Sequence, residues 1–268
     1  MGTASLGMYD APFVAPANDA LWAAVAARLR AAGLADVPAA LDRTRPLAAI
    51  WQAPDLLFAQ TCGYPLVTTL RDVVRPVAAP IYRWPGCQGA THRSVVVVAT
   101  GSPADGLAAL IGARAAINGR DSNTGMNLFR RALADVAAGA PMFGEVIETG
   151  SHLASLAAVR DGEADAAAID AVTFALATHH RPELTAGLRV VATTPVSPSL
   201  PFVTRRDAAP ALVAALVEAL AGAIADPVNA AATTALGLVA VQPVTFADYA
   251  VVRRYAEEAA ALGYPALA

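Results

Sequence analysis

Short continuous apolar runs alternate along this chain with stretches whose apolar residues recur every three to four positions, the signatures of buried strands and of amphipathic helices. Residues 4–9 read as a first strand ending in Tyr9-Asp10. Leu21, Trp22, Val25 and Leu29 then share one face of a helix that Asn18 or Asp19 caps and Gly33 ends. A short helix at 47–52 and strands at 55–60, 73–82 and 93–100 follow, the last rich in valine. The middle repeats the alternation: a helical turn at 106–111, strand 114–118, helix 124–138, strand 145–149, helix 151–161, strand 164–170, helix 172–180 and strand 188–194. After Pro195-Val-Ser-Pro-Ser199, a strand at 200–204 leads into helices at 210–225, 229–236 and 246–262.

This order predicts an α/β fold of mostly parallel sheets with helices on both faces. Two extended stretches, 95–102 and 192–201, end in Ser/Pro/Gly-rich sequence and read as crossings between lobes. They divide the chain into a discontinuous first lobe, 1–98 with 198–268, and a continuous second lobe, 99–197.

Two strand-to-helix junctions carry concentrated polarity. Asn118-Gly-Arg-Asp-Ser-Asn-Thr-Gly125 joins the strand ending at Ile117 to a helix, and Thr149-Gly-Ser-His152 joins the next pair. Such junctions aim backbone N–H groups and the positive end of a helix at one place, which suits a small anion. Ser122, Asn123 and Thr124 can supply hydroxyl, amide and backbone donors, while Gly125 lets the backbone approach closely. One of these residues alone would suffice as an ordinary N-cap. Ser151 and His152 occupy the second helix start, where His152 could donate to an anion and make affinity depend on pH near neutrality. Asp170 ends an apolar strand, where it either faces a cleft or caps the helix that follows. His92 and Arg93 stand before the valine-rich strand, and the pair His179-His180 suits a helix end better than a metal. In the first lobe, Tyr9, Gln60, Thr61, Tyr64 and Tyr82 lie at strand exits or in loops, and a tyrosine there can wall off the apolar part of a ligand.

Composition narrows the classes. All 19 basic residues are arginine, scattered along a chain of net charge −3, and nucleic acid is not an expected partner because a phosphate-backbone binder shows a basic stripe. No uninterrupted apolar run reaches the ~20 residues a membrane-spanning helix needs. As written, the N-terminus lacks a basic segment followed by a long apolar run. The expectation is therefore a cytoplasmic chain, or a periplasmic one if the true start lies upstream or the chain is processed. Cys62 and Cys87, the two cysteines, sit in Gly/Pro-rich loops without the paired spacing of a zinc site, and they form either a disulfide or two thiols. No Walker loop, dinucleotide fingerprint or nucleophile motif is present, so neither cofactor nor metal is expected.

Taken in order, Arg93-Ser-Val-Val-Val-Val98, the 118–125 loop, the Gly150-Ser-His152 turn and Arg160-Asp-Gly-Glu-Ala-Asp-Ala-Ala-Ala-Ile-Asp170 resemble type II periplasmic binding proteins. More narrowly they are similar to the phosphonate/phosphate/phosphite-binding family of ABC-transporter substrate-binding proteins. That family's loop usually reads Ser-Thr-Ser-Gly, and here it is Ser122-Asn123-Thr124-Gly125. The resemblance covers about residues 4–262. It implies a two-lobed, non-catalytic solute-binding protein with two hinge crossings, closing on a small oxyanion beyond the carboxyl ends of its strands. It also implies an acidic residue near Asp170 that contacts a substrate amino group, and an ABC permease or a signalling partner. The alternatives are an enzyme of the same fold using Cys62, His152 and Asp170 across the cleft, and a cytoplasmic ligand sensor.

Overall fold

The alanine- and valine-rich runs become the strands of two five-stranded sheets in the computed structural model, which describes residues 2–268. In chain order the elements begin with β1 (Thr3–Ser5), α1 (Ala15–Ala31), α2 (Leu47–Trp51), β2 (Leu56–Gln60), α3 (Gly63–Val67) and β3 (Val74–Tyr82). Next come β4 (Thr91–His92), β5 (Ser94–Ala99), β6 (Ala113–Ile117), α4 (Leu128–Ala137), β7 (Phe143–Glu148) and α5 (His152–Arg160). Then follow β8 (Ala166–Asp170), α6 (Ala171–His180), β9 (Leu188–Thr193), β10 (Ser197–Pro198) and β11 (Phe202–Arg205). The chain finishes with α7 (Pro210–Ala225), α8 (Ala230–Leu236), β12 (Leu238–Pro243) and α9 (Ala250–Ala261).

Two units result. The first runs to Arg83, takes in 88–90, and resumes over 198–249; the second comprises 84–87, 91–197 and 250–268. The first sheet has the order β1-β2-β11-β3-β12, and its core stacks Trp22 on Phe58 and Phe58 on Phe202, with ring centroids 5.8 and 5.1 Å apart. The second sheet has the order β7-β6-β8-β5-β9. There Val97, Ala116, Ala167 and Ile169 pack against Leu156 and Val159 of α5 and Ala177 of α6. Both sheets are mixed. β1 is parallel to β2, and β6 is parallel to β7 and β8, as β-α-β connections require. β11 is antiparallel to β2 and β3, β12 to β3, and β5 to β8 and β9.

The division differs from the expected one in two places. Residues 94–99, read as part of a crossing, form a strand inside the second sheet between β8 and β9. The C-terminal helix, assigned to the first lobe, groups with the second unit. It is held there by Asn127 Nδ2 donating to Val252 O, by the Arg131–Glu258 ion pair at 2.9 Å, and by Met142 N donating to Ala268 O. Local boundaries moved for visible reasons. β1 stops at Ser5 and Gly7–Tyr9 coils into a 3-10 turn. α1 starts at Ala15, with a proline in its first turn, so Asn18 and Asp19 lie inside it rather than capping it. Asn18 Nδ2 instead donates to Tyr9 O and Asp10 Oδ1. β12 and the short α3 had no counterpart in the sequence reading.

Candidate functional site

Four connections of the second unit end at the same edge of its sheet. The 118–125 loop leaves β6, residues 149–152 leave β7, Asp170 ends β8, and Ser94 opens the antiparallel β5 directly opposite Asp170. The carboxyl edge of parallel strands is where α/β sheets place ligands.

The helix after β6 begins with one π-helical turn, Asn123–Asn127, before settling into α4. Ser122 is its N-cap: the hydroxyl accepts from Gly125 N at 2.9 Å. Ser122, Asn123, Thr124, Gly125, Met126 and Asn127 are all buried, which an ordinary surface cap does not need. Their side chains reach in different directions. Asn123 Nδ2 donates to Ser197 Oγ and Asn127 Nδ2 to Asn123 Oδ1. Ser94 Oγ donates to Thr124 O at 2.8 Å, and Thr124 Oγ1 lies 2.9 Å from His152 Nε2. Glycine at 125 leaves room for Asn118: a Cβ there would stand 1.8 Å from Asn118 Oδ1 and 3.2 Å from His152 Cε1, so Asn118 or the turn would have to shift. Gly125 thus lies against both Asn118 and His152, and His152 in turn meets Thr124.

Ser151 caps α5 by accepting from Ala154 N at 3.1 Å and is exposed, so it serves the helix. His152, one residue on, keeps some exposure overall, yet its Nδ1 is shielded from solvent and has no protein partner. Burial of the ring pulls its pKa down to about 4, Asp170 opposes this in part, and His92 adds a smaller push downward. The imidazole is therefore neutral at neutral pH, and the pH dependence expected near neutrality moves into the acid range. Asp170, fully buried, does cap α6: Oδ1 accepts from Val172 N at 2.8 Å and Thr173 N at 3.2 Å. Its Oδ2 lies 3.1 Å from Nδ1 of the buried His92, close but not in hydrogen-bond geometry with it. Ser94 and Ser197 were absent from the candidate set, and His92 was noted only for its place before the valine-rich strand. Their one sequence signal is position, at the very ends of short strands.

In the first unit several of the candidates are occupied with structure. Gln60 Nε2 donates to Leu200 O at 3.0 Å, and Trp51 Nε1 donates to Gln60 O. Tyr9 and Tyr82, both buried, meet edge to face at 5.8 Å. Tyr64 is half-buried within α3, and Thr61 is buried with its hydroxyl unpartnered by protein. Among the described residues no disulfide forms: Cys62 and Cys87 are both thiols, and burial pushes Cys87 up to about 12. Cys62 belongs to the first unit while His152 and Asp170 belong to the second, so neither unit assembles the nucleophile–base set of the enzyme alternative. The described residues hold no cluster of three or more metal-ligating side chains.

Known structures share the fold. The binding-protein component of an ABC phosphonate transporter from Pseudomonas aeruginosa aligns with TM-score 0.78 at 14% identity, over 98% of this chain and 92% of that one. PhnD1 from Prochlorococcus marinus, solved in complex with methylphosphonate, aligns with TM-score 0.75 at 15% identity over 96% and 97%. A Xanthomonas citri protein bound to chloride ion aligns with TM-score 0.70 at 18% identity over 98% of each chain. No curated protein sequence matches the chain. A family profile described as "ABC transporter, phosphonate, periplasmic substrate-binding protein" matches residues 52–249, well over half of the chain. The chain belongs to that family of substrate-binding proteins, whose role in ABC transport is to bind a solute.

Proposed function

We propose that this protein binds a small phosphonate- or phosphate-like oxyanion in the periplasm and delivers it to an ABC permease. The oxyanion is held in the second unit by the buried helix start at Ser122–Gly125 together with Asn118 and His152. The carrying observation is the burial of three polar side chains in succession, Ser122, Asn123 and Thr124, at a helix start where one cap would satisfy the backbone. The shared fold with a protein solved around methylphosphonate supports the same choice of ligand. Neutral donors and a helix dipole supply the attraction, so the site needs no arginine inside it. Asp170 enters this reading as a positioning residue that caps α6 and faces His92, not as a selector of amino groups.

Titration calorimetry with methylphosphonate tests the assignment. Thr124→Ala is expected to weaken binding by about 1–3 kcal/mol, the range for a hydrogen bond to a charged group. Unchanged affinity in this variant removes the 122–125 helix start from the site.

A further inference from the structure

Arg130, on α4 of the second unit, is a buried cation without a counter-ion. It is 7% exposed, and none of the ion pairs among the described residues includes it. Its neighbour Arg131 instead meets two carboxylates, Asp135 and Glu258, each at 2.9 Å. Arg130 Nη1 donates to Pro265 O and Nη2 to Asn127 Oδ1 at 3.0 Å, while Nε is shielded from solvent and has no partner. An arginine keeps its charge inside a protein, and a charge buried without its opposite is unfavourable.

The bond to Asn127 sets the direction of a chain of amides. Asn127 turns Oδ1 to Arg130, so its Nδ2 donates away from the charge, to Asn123 Oδ1 at 3.1 Å and Val252 O at 3.0 Å. Asn123 accepts on Oδ1 and in turn donates through Nδ2 to Ser197 Oγ at 2.9 Å. Asn127, Asn123 and Ser197 are all buried. A side-chain amide can present either end. Here both amides face the guanidinium with oxygen and point N–H away, the order that a positive charge imposes on dipoles in a low-dielectric interior. Residues 130, 127 and 123 follow one helix face at spacings of three and four, and the relay enters the buried helix start at Asn123.

We infer that an anion bound at this helix start is the counter-charge that Arg130 lacks, and that Arg130 is a positioning residue acting through Asn127 and Asn123. The inference rests on the reading of the 122–125 helix start as the oxyanion site. Neutral donors line that site, and the net positive charge stands behind them. Arg130 follows Asn123 by seven residues, a helical rise of about 10 Å. At that range, with the effective dielectric of a protein interior, each unit of ligand charge shifts affinity on the order of tenfold. Charge and hydrogen bonding can be separated at this position. Lysine keeps a charge and a donor, whereas glutamine keeps a donor alone.

Calorimetry with methylphosphonate on wild type, Thr124→Ala, Arg130→Lys and Arg130→Gln tests this, alongside melting of each protein without ligand. Arg130→Gln is expected to weaken binding on the order of tenfold, and Arg130→Lys to stay within about threefold of wild type. Without ligand, Arg130→Gln should melt no lower than Arg130→Lys, because it has lost a buried charge that nothing answers. A purely structural role couples the two readouts instead, the weaker binder also melting lower. Arg130→Met takes the place of Arg130→Gln if the latter is unfolded by circular dichroism. Wild-type affinity in the neutral variant, or equal weakening by lysine and glutamine, overturns the inference. So does unfolding of both neutral variants, since the charge would then be held for the fold alone. Failure of wild type to bind methylphosphonate, or indifference to Thr124→Ala, overturns the site itself.

Discussion

The helices that begin after Ser122 and Ser151 start with the same grammar and come to different ends. Each follows a strand of the second sheet, and each takes serine as N-cap, the hydroxyl accepting an N–H three residues on at 2.9 and 3.1 Å. Ser122 is buried and Ser151 is exposed. Behind Ser122 come an amide, a hydroxyl and a glycine pressed onto Asn118; behind Ser151 come His152 and then apolar residues. A cap satisfies the backbone in both places. In the reading proposed above, the site is the start where polar side chains are kept buried beyond what capping needs, and His152 links the second helix to it through Thr124.

The most severe way to break that asymmetry is at Gly125. In Gly125→Ala the new Cβ would sit 1.8 Å from Asn118 Oδ1, so either the helix start or Asn118 must move. Overpacking of this kind costs about 1–3 kcal/mol of stability. Methylphosphonate binding should fall further than in Thr124→Ala, because the backbone of the whole turn shifts. Adding Asn118→Ala removes the clashing atom and should recover most of the thermal stability lost in the single variant. A Gly125→Ala protein with wild-type melting temperature and affinity would mean that the close approach is not maintained in solution.

A smaller effect should appear in the pH dependence of stability through His152, the residue shared by the two helix starts. Its folded pKa of about 4 lies below the ordinary 6.5, so between these values the unfolded chain binds the proton and the folded protein does not. The contribution of His152 is thus complete above the unfolded pKa and is lost as pH falls toward the folded one. By about pH 5 the loss is roughly 2 kcal/mol. Denaturant titrations of wild type and His152→Gln over this range should show a steeper acid decline in wild type. Parallel curves would show that the ring is not shielded.

Much of this organisation could be read from the sequence, because runs and periodicities are local. The strand at 74–82, α7 at 210–225 and the polar helix start at 122–125 were found nearly where they stand. Pairing partners are not local. Val95–Val98 looks the same as a crossing or as an inner strand, and only the flanking β8 and β9 decide which it is. The C-terminal helix carries no mark of the unit it joins, since Asn127, Arg131 and Met142 are far from it in sequence. β12 went unread because six residues, of which only Leu238 is buried, ending in Pro243 make a weak strand signal, although a proline is tolerated at a sheet edge. Within the candidate site, the residues that the sequence offered are those contiguous with a turn signal. Ser94 and Ser197, and the approach of His92 to Asp170, were missed because the register opposite Asp170 and the bond to Asn123 bring them in.

The mildest change sharpens the comparison from its other side. Ser151→Ala removes the acceptor for Ala154 N from an exposed helix start, and a lost serine cap costs about 1 kcal/mol. The vacated N–H is open to water, so the cost should stay near the lower end of that range. Among the described residues Ser151 makes no hydrogen bond to Thr124 or Asn118, and His152 keeps its own backbone position as long as α5 stays wound from its first turn. Melting temperature should therefore drop slightly while methylphosphonate affinity stays within about twofold, well under the 1.4 kcal/mol that a tenfold change requires. If Ser151→Ala weakened binding as much as Thr124→Ala, both helix starts would belong to the site, and burial would no longer tell a cap from a ligand-binding turn.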